Sequence, residues 1–287
     1  MRFSYAGRSD ARASRTAGNQ AEIARELYDP VRMERRFHLF ENICLPSIAA
    51  QTNKDFRIAV LASTIMPDVY KQRLAASVER IPQIDIVYSD VDYVVRAFQP
   101  WQQQQTAGLT YATAHFRLDD DDAIGASVID RIAAACDLAP HVGILSFPRG
   151  LHVSYWDDKV HLMREYAPYI AIALCRIGVP GQLRVPYVGK HLELHRNDRS
   201  LLDPLCHAYL HTAHESNDTR ARQSRHIRKM IEGDPQYDTP AGHRSVDEIL
   251  KSEFPGFSRA RLEEIMRAAA RIDAASEGSA GPDTPTA

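Results

Sequence analysis

Four consecutive carboxylates, Asp119, Asp120, Asp121 and Asp122, follow the apolar stretch His115-Phe116-Arg117-Leu118 near the middle of the 287-residue chain. Adjacent aspartates repel one another. At about 4 Å and an effective dielectric near 20, each like-charge pair costs roughly 4 kcal/mol before solvent relaxation. On a strand, alternate side chains leave on opposite faces, so Asp119 and Asp121 would share one face and Asp120 and Asp122 the other. Water cannot relieve both faces of a strand end equally. A divalent cation can, and hard carboxylate oxygens suit Mg²⁺ or Mn²⁺. The alternative is a solvated loop in which Asp122 caps the helix that follows. The position favours a metal-assisted site, because open α/β sheets bind ligands at the carboxyl ends of their strands.

Histidines supply the second chemistry. His191, His195, His207, His211, His214 and His226, six of the twelve, fall in one late segment. His207, His211 and His214 stand at i, i+4, i+7 and would share a face of a continuous helix, a spacing able to hold zinc. The HExxH order of zinc hydrolases is absent, although Glu215 follows His214. His214 opens a polar cluster, His-Glu-Ser-Asn-Asp, positioned to face a shared metal. Each of the other histidines, His195 among them, reads equally as a packed or capping residue.

The elements that must position these groups alternate. Residues 2–6 form an opening strand, and residues 7–20 a small-residue loop carrying Arg8, Arg12 and Arg15. Phe37, Phe40, Cys44 and Ile48 recur at helical spacing, so residues 31–50 are predicted helical, with Pro46 kinking the helix near Leu45. Strands are expected at 56–62, 84–88 and 142–147, and helices at 66–80, 101–112 and 125–138. This alternation predicts βαβ units and a mostly parallel sheet through residue 150. Beyond it, residues 151–155 and 159–163 read as a hairpin across Trp156-Asp157-Asp158. Residues 169–177 form an apolar run, 218–232 a basic helix, and 246–254 and 259–270 amphipathic helices. The tail from Asp273 is small and polar and is expected to be disordered.

Composition is that of a soluble globular protein, with 44% hydrophobic and 25% charged residues. A net charge of −2 and the lack of a basic-aromatic stripe argue against a nucleic-acid partner. Cys44, Cys136, Cys175 and Cys206 form no CxxC and read as reduced core thiols. No apolar run approaches about 18 residues, so no membrane span is expected, while peripheral membrane association stays open. The N-terminus lacks the apolar core of a signal peptide, and the expected location is cytoplasmic.

These residues carry a family likeness. The strand ending in Leu118-Asp119-Asp120-Asp121-Asp122 resembles the DxD region of GT-A-fold glycosyltransferases, and Ala107 to Ala112 resembles the small-residue helix before it in the family 2 branch. More narrowly, the chain resembles a bacterial rhamnosyltransferase family. The matching pieces are Arg36-Phe37 with Phe40-Glu41, Leu45-Pro46-Ser47-Ile48 with Gln51-Thr52, Asp55-Phe56, Phe116 to Asp122, and His211-Thr212-Ala213-His214 with Asn217. The likeness spans roughly residues 1–220. The rhamnosyl label is the family's; no residue here identifies the sugar.

The resemblance implies an α/β, GT-A-like (Rossmann-like) fold. A mostly parallel sheet would be flanked by helices, with a smaller mixed acceptor-side region and C-terminal helices. Residues 1–220 would be the transferase domain, divided into a nucleotide-sugar half (1–150) and an acceptor half (151–220). Residues 221–272 would be C-terminal helices and 273–287 the tail. The implied activity moves a sugar from a nucleotide-diphosphate donor to a hydroxyl of a glycan or glycoconjugate. Mn²⁺ or Mg²⁺ would be held by Asp119, Asp121 and Asp122, with His214 as a late metal or phosphate ligand. Donor-binding candidates are Tyr5, Arg8, Arg117 and Asp120. Candidates for the base include Asp198, with Asp203 and Glu215 carried forward as catalytic. The chain departs from the wider family 2 pattern in lacking a clear Glu-Asp pair and Gln-x-x-Arg-Trp, which argues against a processive synthase. Two rival classes are another metal-dependent nucleotidyl or phosphoryl enzyme and a non-catalytic member of a surface-glycan or phage-like assembly. The first would more often carry a Gly-rich phosphate loop near the first strand, and the intact Asp run argues against the second.

Overall fold

A computed structural model describes residues 1–7, 20–181, 183, 186–187, 191–196, 198–213 and 244–277. The fold is mixed α/β. Helix α1 (Gln20–Leu27) leads into α2 (Pro30–Leu39), whose first turn is closed by the Asp29 side chain accepting from the Arg32 N–H at 2.9 Å, with Pro30 at the helix start. A π turn (Phe40–Cys44) then joins α2 to α3 (Leu45–Ala49). The expected kink at Pro46 takes this form. Proline has no N–H and its ring presses on the carbonyl four residues back, so the preceding turn widens and the Leu45 N–H donates to the Phe40 carbonyl instead.

Strand β1 (Ile58–Ser63) is buried along its whole length and pairs in parallel with β2 (Ile84–Ser89), with α4 (Asp68–Val78) as the crossover. The chain's first residues add to the other edge of β1. Phe3 N–H donates to the Leu61 carbonyl at 2.8 Å, and Leu61 N–H to the Met1 carbonyl at 3.0 Å. Helix α5 (Val94–Thr106) begins earlier than its glutamine-rich stretch suggested, because Val94, Ala97 and Phe98 give it a buried face.

The remaining strands form two four-stranded sheets among the described residues. One has the order β3 (Thr113–Phe116), β8 (Cys175–Gly178), β5 (Ile144–Ser146), β9 (Ser200–Leu202). The other has the order β4 (Ala123–Ile124), β10 (Tyr209–Ala213), β6 (Arg149–Trp156), β7 (Lys159–Tyr166). Both are mixed, which corrects the expectation of a mostly parallel arrangement. The apolar run near 169–177 supplies β8, which inserts antiparallel between β3 and β5. Likewise β10 lies parallel to β6 but antiparallel to β4. The hairpin β6–β7 is longer than expected and turns through Asp157 and Asp158, both at positive φ (52° and 56°) as a two-residue I′ turn requires.

Helix α6 (Val128–Leu138) packs on the main core with Val128, Ile129 and Ile132. Helices α7 (Val246–Glu253) and α8 (Arg259–Glu277) cover the other face of the β10–β6–β7 sheet. There Ile249, Leu250, Phe254, Leu262 and Met266 pack with Leu151, Val153 and Leu210. Ser245 and Glu248 close α7 with a reciprocal capping box. The tail reading is corrected in part. Helix α8 runs through Glu277, and Asp273 forms an ion pair with Arg35 of α2. The predicted basic helix at 218–232 and residues 278–287 lie outside the described residues. All four cysteines are free thiols. No helix of the described residues is long and apolar enough to cross a membrane.

Candidate functional site

The Asp run is the joint between the two four-stranded sheets. Pairing with the β8 side continues past β3: the Arg117 N–H donates to the Leu174 carbonyl at 3.0 Å, and Ala173 N–H donates to the Arg117 carbonyl at 2.7 Å. The chain then turns through Asp119–Asp122, Asp122 N–H reaching the Asp119 carbonyl at 3.4 Å, and enters β4 in the other sheet. The α3 segment holds the exit of this turn. Ser47 Oγ accepts from Ile124 N–H at 3.2 Å, and Gln51 Nε2 donates to the Gly125 carbonyl at 2.9 Å. Gln51 Oε1 accepts from Ile129 N–H at 3.3 Å. Thr52 hydrogen-bonds the Ala126 carbonyl through its N–H and its hydroxyl, each at 2.9 Å. Ser47, Gln51 and Thr52 thus fix the backbone beyond the carboxylates from a segment about 75 residues earlier.

The four carboxylates differ in surroundings. Asp120 and Asp122 are buried, whereas Asp119 and Asp121 are half-buried. Alternation therefore survives although the strand does not. Asp120 takes a bidentate grip from Arg36, whose Nε donates to Oδ2 and Nη2 to Oδ1. Asp122 Oδ1 accepts from the backbone N–H of Thr212 on β10 at 2.9 Å. The Thr212 hydroxyl donates to the Asp121 carbonyl at 2.7 Å. Asp119 Oδ2 accepts from Arg117 Nη2 at 2.9 Å, and the Arg117 guanidinium lies 5.0 Å from the centre of the Tyr187 ring.

Electrostatics sorts them further. Burial pushes the Asp120 carboxyl up to about 6, against the pull of Arg36, with Asp121 and Asp119 adding repulsion. Burial and then Asp121 raise Asp122 well above the usual carboxylate range. Burial also penalises charge on Asp119, but Arg117, Arg2 and the chain amino group outweigh it and hold Asp119 well below that range. Arg36, Arg117, Arg2 and the chain amino group thus face the four carboxylates, and burial sets Asp120 and Asp122 apart from the readily ionised Asp119.

A second polar group stands on the face of the β10–β6–β7 sheet opposite the C-terminal helices. His211 Nδ1 lies 3.3 Å from Glu165 Oε2, and His152 Nδ1 lies 4.0 Å from Glu165 Oε1. The two imidazoles meet edge-on, with centroids 5.1 Å apart. Burial lowers the His211 pKa, but Glu165 and then Asp122 and Asp121 raise it further, to about 9. The helix expected to align His207 with His211 is not formed, and His214 lies outside the described residues. Residues 209–213 form β10, so His211 faces cross-strand partners instead of residues four positions away. The β-branched and aromatic content of Tyr-Leu-His-Thr is the signal that could have identified it. Glu165 and His152 went unnoticed because the expected hairpin stopped at Met163 and no local pattern links the two.

Other candidates take separate positions. The Tyr5 hydroxyl donates to the Val91 carbonyl, and its ring packs in a small core with Leu61, Phe98 and Tyr187. Asp203 is held bidentately by Arg131 of α6, with both distances 2.6 Å, and also accepts from Leu205 N–H at 3.1 Å. Asp198 pairs with Arg176 at 2.8 Å. His195 stacks on Tyr169 with centroids 4.5 Å apart, and His207 is buried beside Arg244. Arg8, His214 and Glu215 lie outside the described residues. Sequence reasoning gave no role to Arg36, Ser47 or Gln51 beyond the family likeness. Their work is to seat the Asp turn.

An α/β chain whose carboxylate turn is seated in this way is a glycosyltransferase by family membership. It belongs to the family described as "Putative rhamnosyl transferase", whose model matches residues 1–226. That span contains the Asp turn, Arg36, Glu165 and His211, and stops before α7 and α8. A search of the curated proteins finds no match.

Proposed function

We propose that this chain is a metal-dependent glycosyltransferase of GT-A type. It would move a sugar, rhamnose by the family's label, from a nucleotide-diphosphate donor to a hydroxyl of a glycan or glycoconjugate. The observation that carries the reading is the sorting of the four aspartates. Asp120 has both oxygens engaged by Arg36 and Asp122 is oriented by the Thr212 N–H on its Oδ1, while Asp119 and Asp121 stay half-buried at the junction of two sheets. The donor set fits Mn²⁺ or Mg²⁺, because it is all carboxylate oxygen. In this reading Asp119, Asp121 and Asp122 would hold the cation, with His214 as a further ligand. When bound, the cation supplies positive charge where the departing diphosphate gains negative charge.

The chain's own residues do the rest. Arg117 steers Asp119 and offers a cation beside the donor. Arg36 keeps Asp120 folded inward, so Asp120 acts on the donor only through the turn. The acceptor oxygen attacks the anomeric carbon, the bond to the diphosphate oxygen breaks, and the hydroxyl proton passes to a base. Of the two proposed bases, Asp203 already has its oxygens engaged by Arg131 and Leu205, so the reading favours Glu215. We read the setting as the cytoplasm. We keep residues 1–150 as the donor half and 151–220 as the acceptor half.

The test is thermal stability of the full chain with nucleoside-diphosphate sugars, each in Mn²⁺, Mg²⁺ or EDTA. A donor at 100 times its Kd stabilises by about 2.7 kcal/mol. The expected result is a rise in Tm with one nucleotide class that needs the metal and is lost in Asp121→Asn. A rise that ignores EDTA would overturn the metal dependence, and none with any donor would overturn the donor class.

A further inference from the structure

His211, His152 and Glu165 come from three neighbouring strands. In the register, His211 is directly opposite His152, and Glu165 is opposite Gly150, two residues before His152. With a side-chain period of two, all three residues share one face of the sheet. Their ligand atoms all lie within 4.8 Å of one another. Glu165 spans the two rings, its Oε2 toward His211 and its Oε1 toward His152. We propose that His152, Glu165 and His211 form a second metal centre, distinct from the Asp turn, for a zinc-class transition-metal ion.

The ligand chemistry separates the two sites. Two imidazoles and one carboxylate suit zinc, whereas the oxygen-only Asp turn suits magnesium or manganese. The spacing also fits. Zinc bonds of about 2.0–2.2 Å in a tetrahedral arrangement set ligand atoms about 3.4 Å apart. His211 Nδ1 is 3.3 Å from Glu165 Oε2, and His152 Nδ1 is 4.0 Å from the other oxygen, Oε1. With one ligand atom from each residue all three lie within 4.8 Å, so small side-chain shifts bring the set to that spacing. Three protein ligands leave a fourth position for water or a substrate oxygen. Access is from the His211 side, since its side chain is 25% exposed whereas His152 and Glu165 are 0% and 2%. Binding at two imidazoles and a carboxylate competes with protons, so zinc loading weakens as the pH falls.

The experiment uses the full chain, stripped with EDTA and dialysed, then loaded with Zn²⁺ or Co²⁺. Metal content and the visible d–d bands of cobalt are read, without any sugar donor. The expected result is stoichiometric zinc and cobalt bands of a nitrogen–oxygen site. Asp119→Asn and Asp121→Asn should keep both. Glu165→Gln and His211→Gln should weaken zinc by more than the roughly 10–100-fold that loss of an outer-shell partner costs. His211 is the more exposed member, so His211→Gln tests the site even if His152→Gln fails to fold. Wild-type protein that retains neither ion overturns the proposal. So do bands that persist in both Glu165→Gln and His211→Gln, or bands that vanish only in Asp121→Asn. Because the readout needs no donor, the proposal can fail while the transferase reading stands, and the reverse.

Discussion

Arg36 on α2 holds Asp120 through two parallel hydrogen bonds, across 84 residues of chain. A guanidinium fork on a buried carboxylate adds geometry as well as charge. Removing it as Arg36→Ala leaves a buried carboxylate unpaired. The expected loss is about 3 kcal/mol, at the low end for a broken buried pair because Arg36 keeps some solvent contact. Arg36→Lys should recover part of it, since the charge remains and the fork does not. Urea unfolding of the three proteins measures this. A loss below about 1 kcal/mol for Arg36→Ala would mean that the turn is seated mainly by Ser47, Gln51 and Thr212.

Asp121→Asn and Asp120→Asn should separate chemistry from architecture. If Asp121 holds the cation, its variant keeps the wild-type unfolding midpoint and loses turnover by about 10²–10³-fold, as when a preorganised electrostatic group is removed. Asp120→Asn should lose stability first. Steady-state rates beside urea midpoints read both effects, and full turnover in Asp121→Asn would end the metal assignment.

His115 gives the fold a dependence on acid. It lies on β3 with Nδ1 at 2.9 Å from Gln102 Nε2, and burial lowers its pKa from 6.5 to about 4. The folded chain therefore refuses a proton that the unfolded chain accepts. Stability from this residue is full above pH 6.5 and is lost as the pH falls toward about 4. The whole effect is at most about 3 kcal/mol. His115→Gln should flatten the fall in urea midpoint between neutral and acidic buffer. Parallel curves for variant and wild type would show that the proton goes elsewhere.

Asp203→Asn tests the outlying base candidate. Its carboxylate braces Arg131 of α6, so the variant should cost about 1 kcal/mol of stability and leave the rate nearly unchanged. A rate falling by orders of magnitude with stability intact would restore Asp203 as the base.

The hairpin turn offers a gain. Asp157 and Asp158 both sit at positive φ, which Asn-Gly accepts with less strain. The double change Asp157→Asn with Asp158→Gly should raise stability by about 0.5–1 kcal/mol. An unchanged or lower Tm would mean that the aspartates stabilise the turn in another way, such as the Tyr155 hydroxyl donating to Asp158 at 3.2 Å.

Local patterns in the chain announced much of this molecule. Helical spacing located α2 and α3, the largely apolar run over residues 56–62 located β1, and the Asp run stood out by charge alone. The relationships that give the aspartates different surroundings are not local. Asp120 answers to Arg36 and Asp122 to Thr212, each more than 80 residues away. The mixed sheets arise for the same reason. Strand β8 is a plain apolar run, and only its insertion between β3 and β5 sets its direction. His211 misled because a spacing of four suits a helix, while its partners lie across strands.

The π turn before Pro46 leaves the helix carrying one residue more than an α-helical path would need. Phe37, Phe40 and Ile48 face the main core, while Leu39 and Ile43 face the C-terminal helices. Deleting a single residue within Phe40–Cys44 would restore regular winding and leave the two flanks in nearly the same phase, because the wide turn absorbs the extra residue within one turn. Arg36 lies before that turn, and Ser47 and Gln51 lie after it. The wide turn therefore works as local slack: the extra residue is taken up between the two ends, and Arg36 on one side and Ser47 and Gln51 on the other still meet the same aspartate turn.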